Sequence, residues 1–246
     1  MRKYLRYLLT LAGMLILWQV VSMIAGEFVL PGPLDVFRRL MVDGASMLYW
    51  RHVGASVYRI MAALAIAFAT AVPLGLFLGM SPGLDRLAKP LIYLSYPVPK
   101  IVLLPIVMLI FGLGDSGKIA MLAMILFFQL LITTRDAARG VNRAARYSLY
   151  SLGGGSRHLF AHVVWPSCLP AVFTSLRIAT GTVVAVLFFV ESISTRYGMG
   201  FYILDAWGRA DITGIFVGMV SLAGLGVILY ETFDFMERVF CRWNRI

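Results

Sequence analysis

In a chain of 246 residues, 60% are apolar and only 14% charged, and the mean hydropathy is +0.84. A soluble domain carries about 25% charged residues to solvate its surface, so this composition excludes an ordinary soluble enzyme and suits a compact bundle of membrane helices of about 20 residues each. The formal net charge of +10 does not point to nucleic acid, because Lys and Arg fall in short clusters between apolar runs, as the positive-inside bias requires.

The first run, residues 8–25, follows Arg2, Lys3 and Arg6. It exceeds the roughly 7–15-residue core of a signal peptide and reads as a first span. Pro31 and Pro33 then mark a turn, and residues 33–48 set Leu34, Val36, Phe37, Leu40 and Met41 against Arg38, Arg39 and Asp43, the pattern of an interfacial helix. Further spans are expected at 54–80, at 87–111 (interrupted by Pro97, Pro99 and Pro105), at 119–133, at 170–190 and at 215–233. The expected fold class is therefore an all-α membrane protein with about six transmembrane helices, a single domain over residues 1–246. No long polar stretch remains for a fused ATPase, receptor or sensor.

The charges orient this set. With the N-terminus inside, the inner segments hold Arg2, Lys3, Arg6, Arg86, Lys89, Arg135, Arg139, Arg143, Arg146, Arg157, Arg238, Arg242 and Arg245, 13 of the 22 basic residues. The outer segments hold Arg38, Arg39, Arg51, Lys118, Arg196 and Arg209, and Arg59, Lys100 and Arg177 fall within spans. Both termini are expected in the cytoplasm, together with the long basic loop from Arg135.

Several features carry little chemistry. Gly75/Gly79 and Gly214/Gly218 are GxxxG pairs that would permit close helix approach, although 23 glycines make chance pairs common. Cys168 and Cys241 have no metal-ligand or disulfide spacing, and His158 and His162 lack the Glu and third ligand of a zinc site. Residues 112–118, Gly-Leu-Gly-Asp-Ser-Gly-Lys, match GxGxxG and GxxxxGK literally. However, a phosphate loop needs Ser or Thr after the Lys, where Ile119 stands, so a tight turn between spans is the better reading. With no hydrolase elbow, HExxH or paired carboxylates, the chain is expected to be non-catalytic, to bind no metal and no cofactor, and to have no nucleic-acid partner.

The inner loop is different. Residues 147–160 read YSLYSLGGGSRHLF, and Tyr147, Leu149, Tyr150, Leu152, Leu159 and Phe160 make it more apolar than solvation favours. Such a surface implies a protein partner, or else a helix lying on the membrane. The stretch resembles the EAA loop of ABC-importer permeases: EAA, three residues, Gly, nine residues, Ile, any residue, Leu-Pro. Gly153, Val163 and Trp165-Pro166 fall at the matching spacing, while Tyr147-Ser148-Leu149 replace the EAA residues. Further pieces occur in order: Leu30-Pro31-Gly32-Pro33, the run from Pro97 to Pro105, Phe111-Gly112-Leu113-Gly114, Leu176-Arg177-Ile178-Ala179, and Glu191 followed by Gly198-Met199-Gly200. As a set they resemble the nitrate/sulfonate/taurine branch of binding-protein-dependent permeases.

That resemblance implies the type I ABC-importer permease fold in the bacterial inner membrane. The partners it implies are a cytoplasmic ABC ATPase dimer that carries ATP and Mg, a second permease subunit as a homodimer, an external solute-binding protein, and membrane lipid. It makes residues 147–166 the coupling loop, with Leu149, Leu152, Gly153, Gly154, Leu159, Phe160, Val163 and Pro166 as ATPase contacts. The solute would be a small organic or inorganic anion, with a thiamine-precursor-type solute as the alternative; a secondary transporter would not need such a loop. Lys100, Glu191, Pro97 and Pro99 are the pathway candidates, since a charge at membrane depth faces a cavity or a partner and prolines free backbone carbonyls. Lys100 lines the pathway or pairs with Glu191, while Arg59 and Arg177 are expected to snorkel to opposite membrane faces.

Overall fold

The structure, a computed structural model, describes residues 2–95 and 97–245 and contains helices and turns only among them. Met1 and Ile246, the ends of the expected permease domain, lie outside the described residues. The helices are α1 (Arg2–Ala25), α2 (Pro33–Gly44), α3 (Met47–Met80), α4 (Pro82–Ser95), α5 (Leu104–Phe111), α6 (Asp115–Arg139), α7 (Arg143–Ser151), α8 (Ser156–Leu159), α9 (Trp165–Glu191), α10 (Met199–Gly208) and α11 (Ile212–Phe240).

Among the described residues, four helical stretches are long and apolar enough to cross a membrane: Met47–Met80, Asp115–Arg139, Ser156–Glu191 and Ile212–Phe240. The expected third span is not one helix. It divides into Pro82–Ser95 and Lys100–Phe111, bent by 82°, because Pro97 and Pro99 have no N–H for a helical ladder and Pro99 sits in an extended conformation. Leu9–Ala25 of α1 is a shorter apolar helix. The spans also run beyond their apolar cores. In α6 the helix continues through Thr134, Arg135 and Asp136, because Arg135 is buried in an ion pair with Asp85 and is not a loop residue.

The described residues form two compact units. One takes the residues up to Ser56 together with Glu191–Ala223; the other takes Val57–Val190 and the residues from Gly224 onward. In the first, Trp18 Nε1 and Ser22 Oγ donate to the carbonyls of Pro31 and Leu30 at 3.1 and 2.7 Å, so α1 holds the Leu-Pro-Gly-Pro turn that starts α2. Pro33 stands at the start of α2, where its missing N–H costs nothing. Gly218 of α11 lies so close to Ile203 of α10 that a methyl group there would collide with it.

In the second unit, α3 and α6 approach through the other glycine pair. A Cβ on Gly75 would stand 2.9 Å from the Leu131 carbonyl, and one on Gly79 would strike the Arg135 carbonyl and Ala138. Both GxxxG pairs therefore serve close packing. On α6, Leu122, Leu126 and Leu130 are fully buried at four-residue spacing, the stripe of a helix inside a bundle. Arg177 of α9, expected to snorkel, is paired with Asp234 at 2.6 Å and Glu237 at 2.9 Å on α11. Arg59 likewise stays inside, 4% exposed, with Asp115 at 2.7 Å.

Candidate functional site

Residues 147–166 form a helix, a glycine turn and a second helix that continues into α9. Asn142 opens α7 by accepting the Ala144 amide at 2.8 Å. At its other end the Gly153 amide donates to the Tyr150 carbonyl and the Gly154 amide to the Leu149 carbonyl, both at 3.0 Å. These are the paired bonds of a Schellman closure, with Gly153 at the left-handed position, φ +79°. A side chain at Gly153 would be strained, and a Cβ on Gly154 would stand 2.7 Å from Leu149 Cγ. The glycine of the loop pattern is thus a helix stop, a role that a glycine with φ > 0 fills at no steric cost.

Beyond the turn, α8 passes into a π turn at Phe160–Val164, where the Trp165 amide reaches back to the Phe160 carbonyl. Pro166 follows at once. Its ring would meet the His162 carbonyl in a regular α-turn, and the wider turn relieves that conflict.

The apolar side chains of the segment divide into two sets. Tyr147, Tyr150, Leu152 and Phe160 are exposed, Leu152 at 86%. Leu149, Gly154, Val163 and Pro166 are half-buried. Leu159, expected among the contact residues, is 6% exposed and packs inward, which corrects that expectation: its place on α8 faces the protein. The exposed surface therefore belongs to Tyr147, Tyr150, Leu152, Gly153 and Phe160.

Of the pathway candidates, Lys100 begins a single 3-10 turn after Pro99. Its Nζ donates to the Ser95 carbonyl at 3.3 Å and stands 4.7 Å above the Phe128 ring. Pro97 and Pro99 form the break that puts it there, and both are exposed. Glu191 belongs to the other unit and is fully buried. Ser56 Oγ donates to both its oxygens at 2.9 Å, and the Gly200 amide donates at 2.8 Å. Ser56 Oγ also accepts the Met199 amide at 2.8 Å, and the amide of Gly198 donates to His52 Nδ1 at 3.1 Å. Three backbone amides at the start of α10 are thereby satisfied by side chains, with the carboxylate at the positive end of the helix.

His52 and Ser56 were not singled out from the sequence. Their spacing, two polar residues one turn apart on an apolar helix, is the signal that marks them. A second network in the same unit was also missed. Tyr202 donates to Asp43 at 2.6 Å, Arg39 holds Asp43 and Asp211 at 3.1 Å, and Asp211 accepts the Gly214 amide at the start of α11. Burial and the adjacent Asp43 carboxylate push the Tyr202 phenol above its usual range, keeping it a neutral donor. The Arg39 guanidinium is raised chiefly by its hydrogen bond to Asp43.

The phosphate-loop look-alike is a turn. Gly112 has φ +86°, Gly117 presses on the Gly112 carbonyl, and Ser116 Oγ donates to Phe111 at 2.9 Å. Lys118, 2% exposed, donates to the Leu113 carbonyl at 2.8 Å. The loop's own backbone takes up the lysine that a nucleotide would need.

Residues 71–245 match the family of binding-protein-dependent transport system inner membrane components. The chain is 30% identical to the taurine transport system permease protein TauC of Escherichia coli strain K12 over 242 residues, 96% of this chain and 88% of that one. It is 26% identical to the formylaminopyrimidine transport permease protein ThiX of Halalkalibacterium halodurans over 233 residues, 94% and 93% of the two chains. Its fold is similar to a chain of the MetNI methionine ABC transporter in an inward-facing conformation, with TM-score 0.64 and 16% identity over 78% of this chain and 96% of that chain. An all-helical chain with apolar spans, the glycine-closed α7 turn and a family match over most of its length belongs to the binding-protein-dependent transport system inner membrane component family, and is a permease of an ABC importer.

Proposed function

We propose that this permease carries a small organic anion of the sulfonate type across the bacterial inner membrane and is driven by a separate ABC ATPase dimer that docks on residues 147–166. The observation that carries the docking surface is the cluster of Tyr147, Tyr150, Leu152 and Phe160, exposed around a helix closed at Gly153. A rigid short helix with exposed apolar side chains fits a groove on a partner at low ordering cost. ATP and Mg are held by the ATPase, and hydrolysis is its work. Closing of that dimer would move α7 and the α9 helix continuous with α8 as a rigid body, exposing the pathway to either side in turn.

A second copy of the chain completes the pathway as a homodimer, and an external binding protein delivers solute. Both termini lie in the cytoplasm, which puts 13 basic residues and the coupling segment on the ATPase side. The anion reading draws support from Lys100 beside the proline break and from the taurine permease relative. A formylaminopyrimidine-type solute is the second reading, favoured by the relative of that name over nearly the full length of both chains.

Co-expression with the ATPase encoded nearest to this chain, followed by affinity capture of the permease, tests the docking surface. The wild-type chain retains the ATPase and Leu152→Glu loses it. Equal recovery would remove residues 147–166 as the docking surface. Uptake of radiolabelled taurine against formylaminopyrimidine by the assembled transporter separates the two solute readings.

A further inference from the structure

We infer that the chain holds the headgroup of an anionic phospholipid in a basic cavity formed where α3 ends, α4 begins and α6 ends. The cavity, of about 210 Å³, is lined by Gly79, Pro82, Asp85, Arg86, Lys89 and Arg139. Met80 and Arg139 are the last residues of α3 and α6, and Pro82 is the first of α4. The cavity therefore sits at the end of membrane-crossing helices, the depth at which phosphate headgroups lie.

Its charge favours an anion. Three cations line it against one carboxylate, and Asp85 is already held by Arg135, itself 2% exposed, with Arg139 at 3.4 Å. That ion pair neutralises Asp85 and fixes α4 to α6, which leaves Arg86 and Lys89 exposed on the α4 side of the cavity. Arg139 keeps 58% of its side chain exposed. Guanidinium and ammonium groups converging at a membrane boundary suit a phosphate diester.

A free phosphate would need only this cavity. The neighbouring surface of α3 argues for the attached chains. Phe68, Val72, Leu76 and Met80 of α3, with Phe160 and Trp165, line an apolar cavity of about 450 Å³. Its last α3 residue, Met80, follows Gly79 of the basic cavity in sequence. Such a lining offers nothing to a soluble anion and matches an acyl chain lying along the span.

The test uses the purified full-length chain in neutral detergent, titrated with dioleoyl phosphatidylglycerol or dioleoyl phosphatidylcholine and read by native mass spectrometry. Phosphatidylglycerol should be retained preferentially at one site per chain. Arg86→Gln with Lys89→Gln should weaken that preference by about fivefold for each cation removed. Both residues are exposed, so the variant keeps the fold, and its α-helical circular dichroism checks this. Arg143→Gln with Arg157→Gln removes the same charge elsewhere and should leave the preference intact. Equal retention of the two lipids would overturn the proposal, as would an unchanged preference in the Arg86/Lys89 variant. Displacement of phosphatidylglycerol by excess inorganic phosphate would make this a free-phosphate site and overturn the lipid assignment.

Discussion

The carboxylate of Glu191, fully buried, accepts the amide of Gly200 at 2.8 Å, so the last residue of α9 caps the first turn of α10. Ser56 joins them, donating to Glu191 and accepting from Met199. The sequence pattern of a Glu followed by Gly-Met-Gly is in structural terms an acid and the helix start that it holds. The negative charge lies at the start of α10, where the helix dipole favours it.

Removing this acid should cost stability. Glu191→Ala leaves the Gly200 amide and the Ser56 hydroxyl without this acceptor, and should destabilise the detergent-solubilised chain by about 1.5–3 kcal/mol, the range for hydrogen bonds to a charged group. Glu191→Gln keeps an acceptor oxygen and should lose about half of that. Thermal unfolding followed by intrinsic fluorescence ranks the two variants. Equal midpoints for Gln and Ala would show that charge, not hydrogen bonding, holds α10.

The turn after α7 makes a different demand. At φ +79° an L-residue is strained, so Gly153→Ala should cost about 1–2 kcal/mol locally, and Gly153→Asn less. Neither change should affect membrane insertion. Gly153→Glu should abolish transport and weaken ATPase capture. Unchanged transport by a properly inserted Gly153→Glu chain would contradict a coupling role.

Lys100 is expected to act in the pathway. Its cation lies over Phe128 and donates to the Ser95 carbonyl at 3.3 Å, beside the proline break. Lys100→Gln should lower transport roughly tenfold, the effect of about 1.4 kcal/mol, while assembly and basal ATPase activity persist. A structural pairing with Glu191 predicts something else: each single neutral variant would reduce assembly and the double variant would recover it. Assembly yields and transport rates for the two singles and the double decide between them.

Topology follows from the basic residues. A cytoplasm-active reporter fused after residue 246 should be active, and a periplasm-active one silent. The opposite pair of results would put residues 147–166 beyond reach of any cytoplasmic ATPase.

Much of this protein was legible before its structure. Composition alone called for membrane helices, because lipid tolerates few charges, and the apolar runs located the cores of the four long apolar helices, while the expected third span is broken at Pro97 and Pro99. The spacing of Gly153, Val163 and Pro166 marked a glycine-closed turn and the helix that follows it, since a helix stop and a proline-led helix both depend on local backbone geometry. The tertiary structure alone decided which charges are interior. Arg59, Arg177 and Arg135 look alike in sequence, polar residues near span ends, and an isolated helix would send each to the nearest membrane face. Each is instead paired with a carboxylate on a neighbouring element, Asp115, Asp234 or Asp85. Such pairs join residues 50 to 57 positions apart, and hydropathy read along one helix carries no information about its neighbour. Leu159 turned inward for the same kind of reason: an apolar side chain on a loop can cover its own protein or meet another, and only packing determines which.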